Sequence, residues 1–580
     1  MTLDPRQKTI PNSLQFLIGL CILGLLILTP ILLVGHPAGP VTAPLANGTV
    51  HVKILAVNDF HGHLPPGQTM NNRTVGGAPV LASYLKSAIT SEKADGTIIA
   101  IPGDVYGNSP PESGLLLDEP TMLFFNSFAD QNTTTLSSSP NSSGNMIATL
   151  GNQDFDRGVP ELMREINGGN GTTNITHLVD PYPGSRSTYV SANVVWKANN
   201  TTILPPYTIR NVSGVPIAFI GADTITTPGL QEAANVKDVT FLDEADSINR
   251  YIPEIQQQGV HAIVVLLHEG GNQTPYDGPT RGNGTVTGRV ATIIPRLDSD
   301  VDVVLSAHTH QFTNTYLNNS GNKPVLVTQA YMFGMGFADV DLTIDRAGGD
   351  ITNKSARIIT TYADQAPGTS PDPAAAALLA ADEKAVAPMV KQVIGVAAQN
   401  ITRDQNPAGE SALGDLIADE LRGTMEADIG FESAGSIRAD ITQGNISWGD
   451  LYAVQPSSGT VLSMTLTGDQ IRQVLEQQWQ EPLPPHNLMV SGLVYTYDTT
   501  RPAGNRVTEV KVHDRPLDLN ATYTVATVDY LLSGGDGYTT FTQGKDVTFV
   551  LKDIDALTAY IGSSPQPVNV TIDGRIQRIH

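Results

Sequence analysis

The chain has 580 residues, with 34 Lys and Arg against 57 Asp and Glu, for a net charge of −23. That length exceeds what one hydrophobic core organises, so two large folded parts plus extras are expected. The acid excess argues against a nucleic-acid polymer as partner, because releasing phosphate counterions takes Lys and Arg. A small anionic substrate stays open, since bound divalent cations reverse the field locally.

Residues 14–34, LQFLIGLCILGLLILTPILLV, are uncharged and follow Arg6 and Lys8. A run of about 20 apolar residues crosses a bilayer, and positive charges before it predict an N-terminus inside with the remainder outside. Two outcomes follow for residues 1–48. One is a short cytoplasmic tip, a single-pass cell-membrane anchor and a Pro/Gly/Ala-rich stalk; the other is a signal cleaved near APLA, 43–46, that leaves a secreted body. Cys21, the single cysteine, lies in this segment, so the body has no disulfide of its own. N-x-S/T triplets, among them those at Asn72, Asn170, Asn211, Asn283, Asn400, Asn445 and Asn569, suit a glycosylated external face.

From about residue 50 to 345, short apolar runs end in polar clusters: HVKILAVND, TIIAIPGD, NMIATLGN, VPIAFIGAD, HAIVVLLHEG and VDVVLSAHTH. Continuous Val/Ile/Leu runs of this length read as strands buried on both faces in an α/β protein. Helix-capable stretches such as PVLASYLKSAI lie between them. The polar clusters therefore fall at carboxyl ends of strands, where open α/β sheets hold ligands. Next, PGTSPDPAAAALLAADEKAVAPMVKQV reads as a turn and an Ala-rich linker helix within 363–395. Residues 396–580 read as a smaller α+β part. There SALGDLIADELRGTM sets Leu413, Leu416, Ile417 and Leu421 on one helical face, and TVLSMTLTG, LVYTYD and TYTVATVDYLL are strand-like.

Five of the six strand ends carry metal-ligand chemistry: Asp59 and His61, Asp104, Asn152, His268, and the pair His308 and His310. Imidazoles mixed with carboxylate and amide oxygens suit Zn, Mn, Fe or Co and not an all-oxygen calcium cage. Seven ligands are too many for one tetrahedral ion. They suit two divalent ions sharing a carboxylate, and Asp104, alone on its strand, is the natural bridge.

These motifs, NDFHG, GDVYGNSP, GNQDFDRG, LLHEGG and AHTH, resemble the calcineurin-type metallophosphoesterase domain of the 5′-nucleotidase family. ITRDQNPAGESALGDLIADEL, GSIRAD and SGGDGY resemble that family's C-terminal nucleotide-binding domain. The resemblance implies a four-layer β-sandwich flanked by helices over 49–362 and a linker helix to the α+β domain. It also implies one ion on Asp59, His61, Asp104 and His310, and another on Asp104, Asn152, His268 and His308. Arg438, Ser433, Tyr530 and Asp536 fall at positions that would hold a nucleotide.

The sequence departs from the family where Gln153 replaces a histidine that pairs with an aspartate, here Asp156. An amide donates a hydrogen bond but carries neither proton nor positive charge, so general acid–base help worth about 10²–10⁴ is weakened. Asp156 would remain to orient an imidazole placed at Gln153. Ser433 replaces an asparagine, and Ser457 replaces a stacking phenylalanine. Three readings follow. The first is an extracytoplasmic hydrolase releasing phosphate from nucleoside 5′-monophosphates or related nucleotides, with Asn152, Gln153 and Asp156 at the reaction. The second is a phosphodiesterase for cyclic nucleotides or another organic phosphate, and the third a surface nucleotide-binding protein with weakened catalysis. Oligomeric state is not legible.

Overall fold

The computed structural model describes residues 48–580 apart from 92–93, 130–144, 171–178, 232–233, 283, 457–458 and 481–484. The apolar segment 14–34, the stalk, Cys21 and Ser457 lie outside the described residues. Among the described residues no helix is long and apolar enough to cross a membrane. Of the sequon asparagines named above, Asn72, Asn170, Asn211, Asn400, Asn445 and Asn569 fall within them, and each is exposed.

The six apolar runs all form strands, three in each of two six-stranded sheets. Thr49–Ala56, Gly96–Pro102 and Met146–Thr149 are parallel neighbours in one; Val215–Asp223, Ala262–His268 and Val301–Ser306 are parallel neighbours in the other. Both faces of each run are buried, which is why the runs do not alternate with polar residues. One face, with Ile54, Ile98 and Ile147 meeting Phe219, Val264 and Leu305, packs sheet on sheet. The outer face of the first sheet, Leu55, Ile99 and Ile101, is covered by Leu81 and Leu85 of the helix Ala78–Ser91 and by Phe124 and Phe125. The outer face of the second, Val265 and Leu267, is covered by Ile248, Ile252 and Ile255 of the helix Glu244–Gln257. The order helix, sheet, sheet, helix makes the four layers.

The Ala-rich segment is the helix Pro373–Val390, started by Asp372, whose carboxylate accepts from the N–H groups of Ala374 and Ala375. Its Ala375 and Leu379 join the core outside the first sheet, and Val390 packs on a separate core that holds Leu413, Leu416, Ile417 and Leu421. All four of those leucines and isoleucines are buried. A five-stranded sheet ordered Leu488–Ser491, Ile429–Ser433, Thr522–Val528, Thr460–Thr467, Lys545–Lys552 forms the frame of this second part. One boundary differs from the sequence reading. The strand in TYTVATVDYLL stops at Val528, and Tyr530 sits in the helical turn Asp529–Leu532, because the Asp529 side chain takes the Tyr530 N–H and ends the ladder.

Candidate metal centre

The sequence-predicted ligands leave the carboxyl ends of strands from both sheets and converge in two groups. Asp59, His61 and His310 offer ligand atoms all within 4.8 Å of one another, and so do Asp104, His268 and His308. Asp104 Oδ2 stands between the groups, 3.1 Å from His268 Nε2 and 3.8 Å from His61 Nε2. Asn152 Oδ1 lies 3.2 Å from His268 Nε2.

The ring orientations are set from behind. His61 Nδ1 is 3.1 Å from the Gly107 carbonyl, and His268 Nδ1 is 3.0 Å from that of Pro102. A carbonyl only accepts, so each Nδ1 carries a proton and the His61 Nε2 turns a lone pair to the centre. Against the opposing effect of burial, Asp104 at 3.1 Å holds His268 well above the usual imidazole range, and a cation would displace its second proton. His61 Nε2 and His310 Nε2 then face each other at 3.0 Å beside the Asp59 carboxylate. Burial pushes His61 and His308 down to about 3, so both rings are neutral, the form that binds a cation. Imidazoles and buried carboxylates aimed at common points fit a divalent pair by their donor chemistry.

Backbone conformation completes the cradle. Asp59, His61, Asp104, His308 and His310 all have positive φ, between 48° and 71°. Left-handed backbone is uncommon outside glycine and clusters at functional sites. Asn58, which the sequence reading passed over, fixes Asp59: its Nδ2 donates to Asp59 Oδ2 at 2.7 Å and to the Tyr331 carbonyl at 2.6 Å. The His308 N–H closes on the same carboxylate at 3.0 Å. An Asn beside a ligand Asp in VND was the available signal.

A cavity of about 630 Å³ opens beside the centre and reaches into the second part of the chain. Asn152, Gln153, Asp156 and His308 line one side; Ser433, Arg438, Tyr530 and Asp536 line the other. All four sequence-predicted substrate residues thus share one cavity with the candidate metal ligands. Asp536 takes hydrogen bonds from Ser433 Oγ at 2.6 Å and Tyr530 Oη at 2.9 Å, and the Tyr530 ring lies flat over Gly535, where a Cβ would come within 2.5 Å of it. Among the described residues no hydrogen bond or ion pair holds the Arg438 guanidinium. Glu432 and Asp553 also face the cavity, but burial pushes them up to about 8 and about 7, which lightens its negative charge near neutrality.

At the departure from the family pattern, the Gln153 N–H donates to Asp104 Oδ1 at 2.8 Å, while its side-chain Oε1 is buried without a partner. The Asp156 carboxylate already has partners on both oxygens. Oδ1 accepts from Gln231 Nε2 at 2.7 Å and Oδ2 from the Asn108 N–H at 3.2 Å. Gln231 lies in the loop that follows the strand Val215–Asp223, and nothing in its sequence context marks it.

The layered fold and the twin ligand groups define a metal-dependent phosphoesterase. The calcineurin-like phosphoesterase family matches residues 52–312, and the 5′-nucleotidase C-terminal domain family matches residues 393–543. The chain is 33% identical over 558 residues to the cell wall protein Lmo0130 of Listeria monocytogenes, covering 90% of this chain and 68% of that protein. It is 32% identical over 546 residues to the endonuclease YhcR of Bacillus subtilis, covering 92% of this chain; the chain spans only 41% of that relative's length. In three dimensions it is similar to the 5′-nucleotidase precursor from Thermus thermophilus, with TM-score 0.69 and 26% identity over 91% of this chain and 99% of that one. The chain belongs to the 5′-nucleotidase family of calcineurin-like phosphoesterases and is a metal-dependent phosphoester hydrolase.

Proposed function

We propose that the protein acts outside the cytoplasm and releases phosphate from nucleoside 5′-monophosphates or closely related nucleotides. One observation carries this reading: the candidate ligands and a nucleotide-sized cavity bearing a free guanidinium share one space. When bound to Asp59, His61, Asp104, Asn152, His268, His308 and His310, two divalent cations supply Lewis-acid charge and a more acidic water. Arg438 grips a phosphate through its planar fork of N–H groups. The Gln153 amide donates to a phosphoryl oxygen as a neutral replacement for an imidazole. Tyr530 offers a ring face to a base, and Asp536, already ordered by Ser433 and Tyr530, accepts from ribose hydroxyls. Zn, Mn, Fe and Co all suit the mixed donors.

The matched families and the separate cores support a division into 49–362, a linker over 363–395 and a nucleotide-binding part over 396–580. A surface location is supported by the cell-wall relative and by the apolar segment 14–34. The relative named as an endonuclease does not argue for a polymer substrate, because this chain matches 41% of it and carries a net charge of −23. The test is a panel: the exported body with Mn²⁺ or Zn²⁺, and phosphate release from mono-, di- and cyclic nucleotides and an aryl phosphate. Release from the aryl phosphate but from no nucleotide overturns the substrate assignment; release from none overturns the activity.

A further inference from the structure

The wall that the second part gives to the cavity holds a group of oxygens that the proposed reaction does not use. Gln455 is 1% exposed, and among the described residues its Oε1 has no partner within hydrogen-bond distance. Glu432, also 1% exposed, spends Oε1 on the Ser433 N–H at 2.7 Å, and its Oε2 is likewise without a partner. Asp553 is buried and accepts one backbone N–H on each oxygen, from Ile554 at 2.6 Å and from Gly459 at 3.0 Å. Asp529 faces the same place. A Cβ on Gly459 would stand 3.2 Å from Asp553 Oδ2 and 3.3 Å from Asp529 Oδ1, so the bare glycine keeps open the gap between the two carboxylates. All five residues line the cavity.

No charge of opposite sign answers these acids. Among the described residues no ion pair reaches Glu432, Asp529 or Asp553, and Lys552, next to Asp553 in sequence, sends its Nζ to Thr460 Oγ1 at 3.1 Å. Buried carboxylates are costly unless paired or bound to a metal ion, and a bare amide oxygen beside them adds one more acceptor with nothing to accept. The donors also differ from those of the candidate metal centre, being carboxylate and amide oxygens with no imidazole. Such a set suits a hard cation. Ca²⁺, which takes about six to eight oxygens in flexible geometry, fits this irregular wall better than Mg²⁺, which demands an octahedron. Among the described residues only the two groups of the centre bring three carboxylate or imidazole ligands within 4.8 Å of one another. An ion in the wall would therefore draw on fewer carboxylates, with the amide and water completing its shell.

We propose that Glu432, Gln455 and Asp553, with Asp529 across Gly459, form a Ca²⁺ site separate from the two-ion centre. A small count of charged ligands sets its dissociation constant at about 10⁻⁴–10⁻³ M. The site goes beyond the proposed hydrolysis and works beside it. A cation in this wall reverses the field that the carboxylates set against an anionic phosphate entering the same cavity.

The experiment has a binding arm and a kinetic arm. The exported body is first loaded with Zn²⁺, which the imidazoles of the centre retain, and freed of excess metal. Uptake of radioactive calcium is then measured by equilibrium dialysis. One Ca²⁺ per chain should bind, and Mg²⁺ at equal concentration should displace only a minor part of it. Glu432→Gln and Gln455→Met should each weaken uptake about tenfold or more. Gln455→Met nearly conserves volume while removing the amide, and urea unfolding in chelator checks that both variants fold; if Glu432→Gln does not fold, Gln455→Met decides. No uptake by the wild type, as carboxyls that simply stay protonated would give, or uptake undiminished in the variants, overturns the site. Equal displacement by Mg²⁺ overturns the assignment to calcium. In the kinetic arm, which rests on the hydrolase reading, Ca²⁺ should lower KM for AMP severalfold in the wild type and in neither variant. Turnover with a KM indifferent to Ca²⁺ overturns the role in substrate binding. A body that takes up Ca²⁺ through Glu432 and Gln455 but hydrolyses nothing refutes the hydrolase reading and supports the site.

Discussion

Gln153→His is the most informative single substitution. The Gln153 Cβ and Asp156 Oδ2 crowd the same point over Gly107, at 2.6 and 2.9 Å from where a Cβ on that glycine would stand. An imidazole built from this Cβ has a ring nitrogen within reach of the carboxylate. General acid–base catalysis gives about 10²–10⁴ in rate, and the structure points to the lower end. Asp156 is shared with Gln231 and Asn108, and burial pushes it up to about 7, so near neutrality it only half supports a cationic ring. The expected gain is about a hundredfold in kcat on AMP with little change in KM, about 2.7 kcal/mol of transition-state stabilisation. On 4-nitrophenyl phosphate, whose oxygen leaves without a proton, little gain is expected. Adding Gln231→Ala frees Asp156 and should raise kcat on AMP further, which a double-mutant cycle measures as coupling between the two positions. A loss of activity across all substrates in Gln153→His, with metal content unchanged, refutes the reasoning and makes Gln153 a specialised residue.

Asp104→Asn and His268→Ala should each lower phosphate release by at least about a hundredfold and reduce bound metal measured by plasma mass spectrometry. Full activity in either removes the two-ion assignment. Asp382, buried with both oxygens unpartnered, is pushed up to about 8 by burial, with Glu112 and Glu383 adding to it. A raised carboxyl pKa destabilises the fold progressively from about pH 4 to about pH 8. Asp382→Asn should therefore match the wild type in urea unfolding near pH 4 and exceed it at pH 8, with a ceiling of about 5 kcal/mol; equal stability at pH 8 contradicts this. Leu266→Ala, between the two six-stranded sheets, should cost about 2–5 kcal/mol in the same assay, and a loss below about 1 kcal/mol would mean that the sheets repack around it.

The strands and the ligands were legible for one physical reason. A strand buried on both faces is a continuous apolar run, and Asp59, Asp104, Asn152, His268 and His308 stand one to three residues past such runs. The division of six runs into two sheets was not legible from patterning, since each run looks the same whichever sheet it joins. The arrangement around Asp156 was hidden as well, because Gln231 is 75 residues away in sequence and an ordinary polar residue in a loop. Tyr530 was placed in a strand because β propensity runs on through VATVDYLL, whereas the Asp529 side chain stops the ladder one residue earlier.

The five left-handed residues of the centre bear on the lifetime of the protein. Each such backbone costs on the order of 1 kcal/mol, and a folded domain keeps only about 5–15 kcal/mol in total. Imidazoles and carboxylates buried at close range add to that burden until cations occupy the site, and cations that bind only the folded chain stabilise it by mass action. Supply of metal then governs more than turnover. When cations are scarce, the chain opens more often and is cut sooner by surrounding proteases, so the population that persists is enriched in loaded molecules.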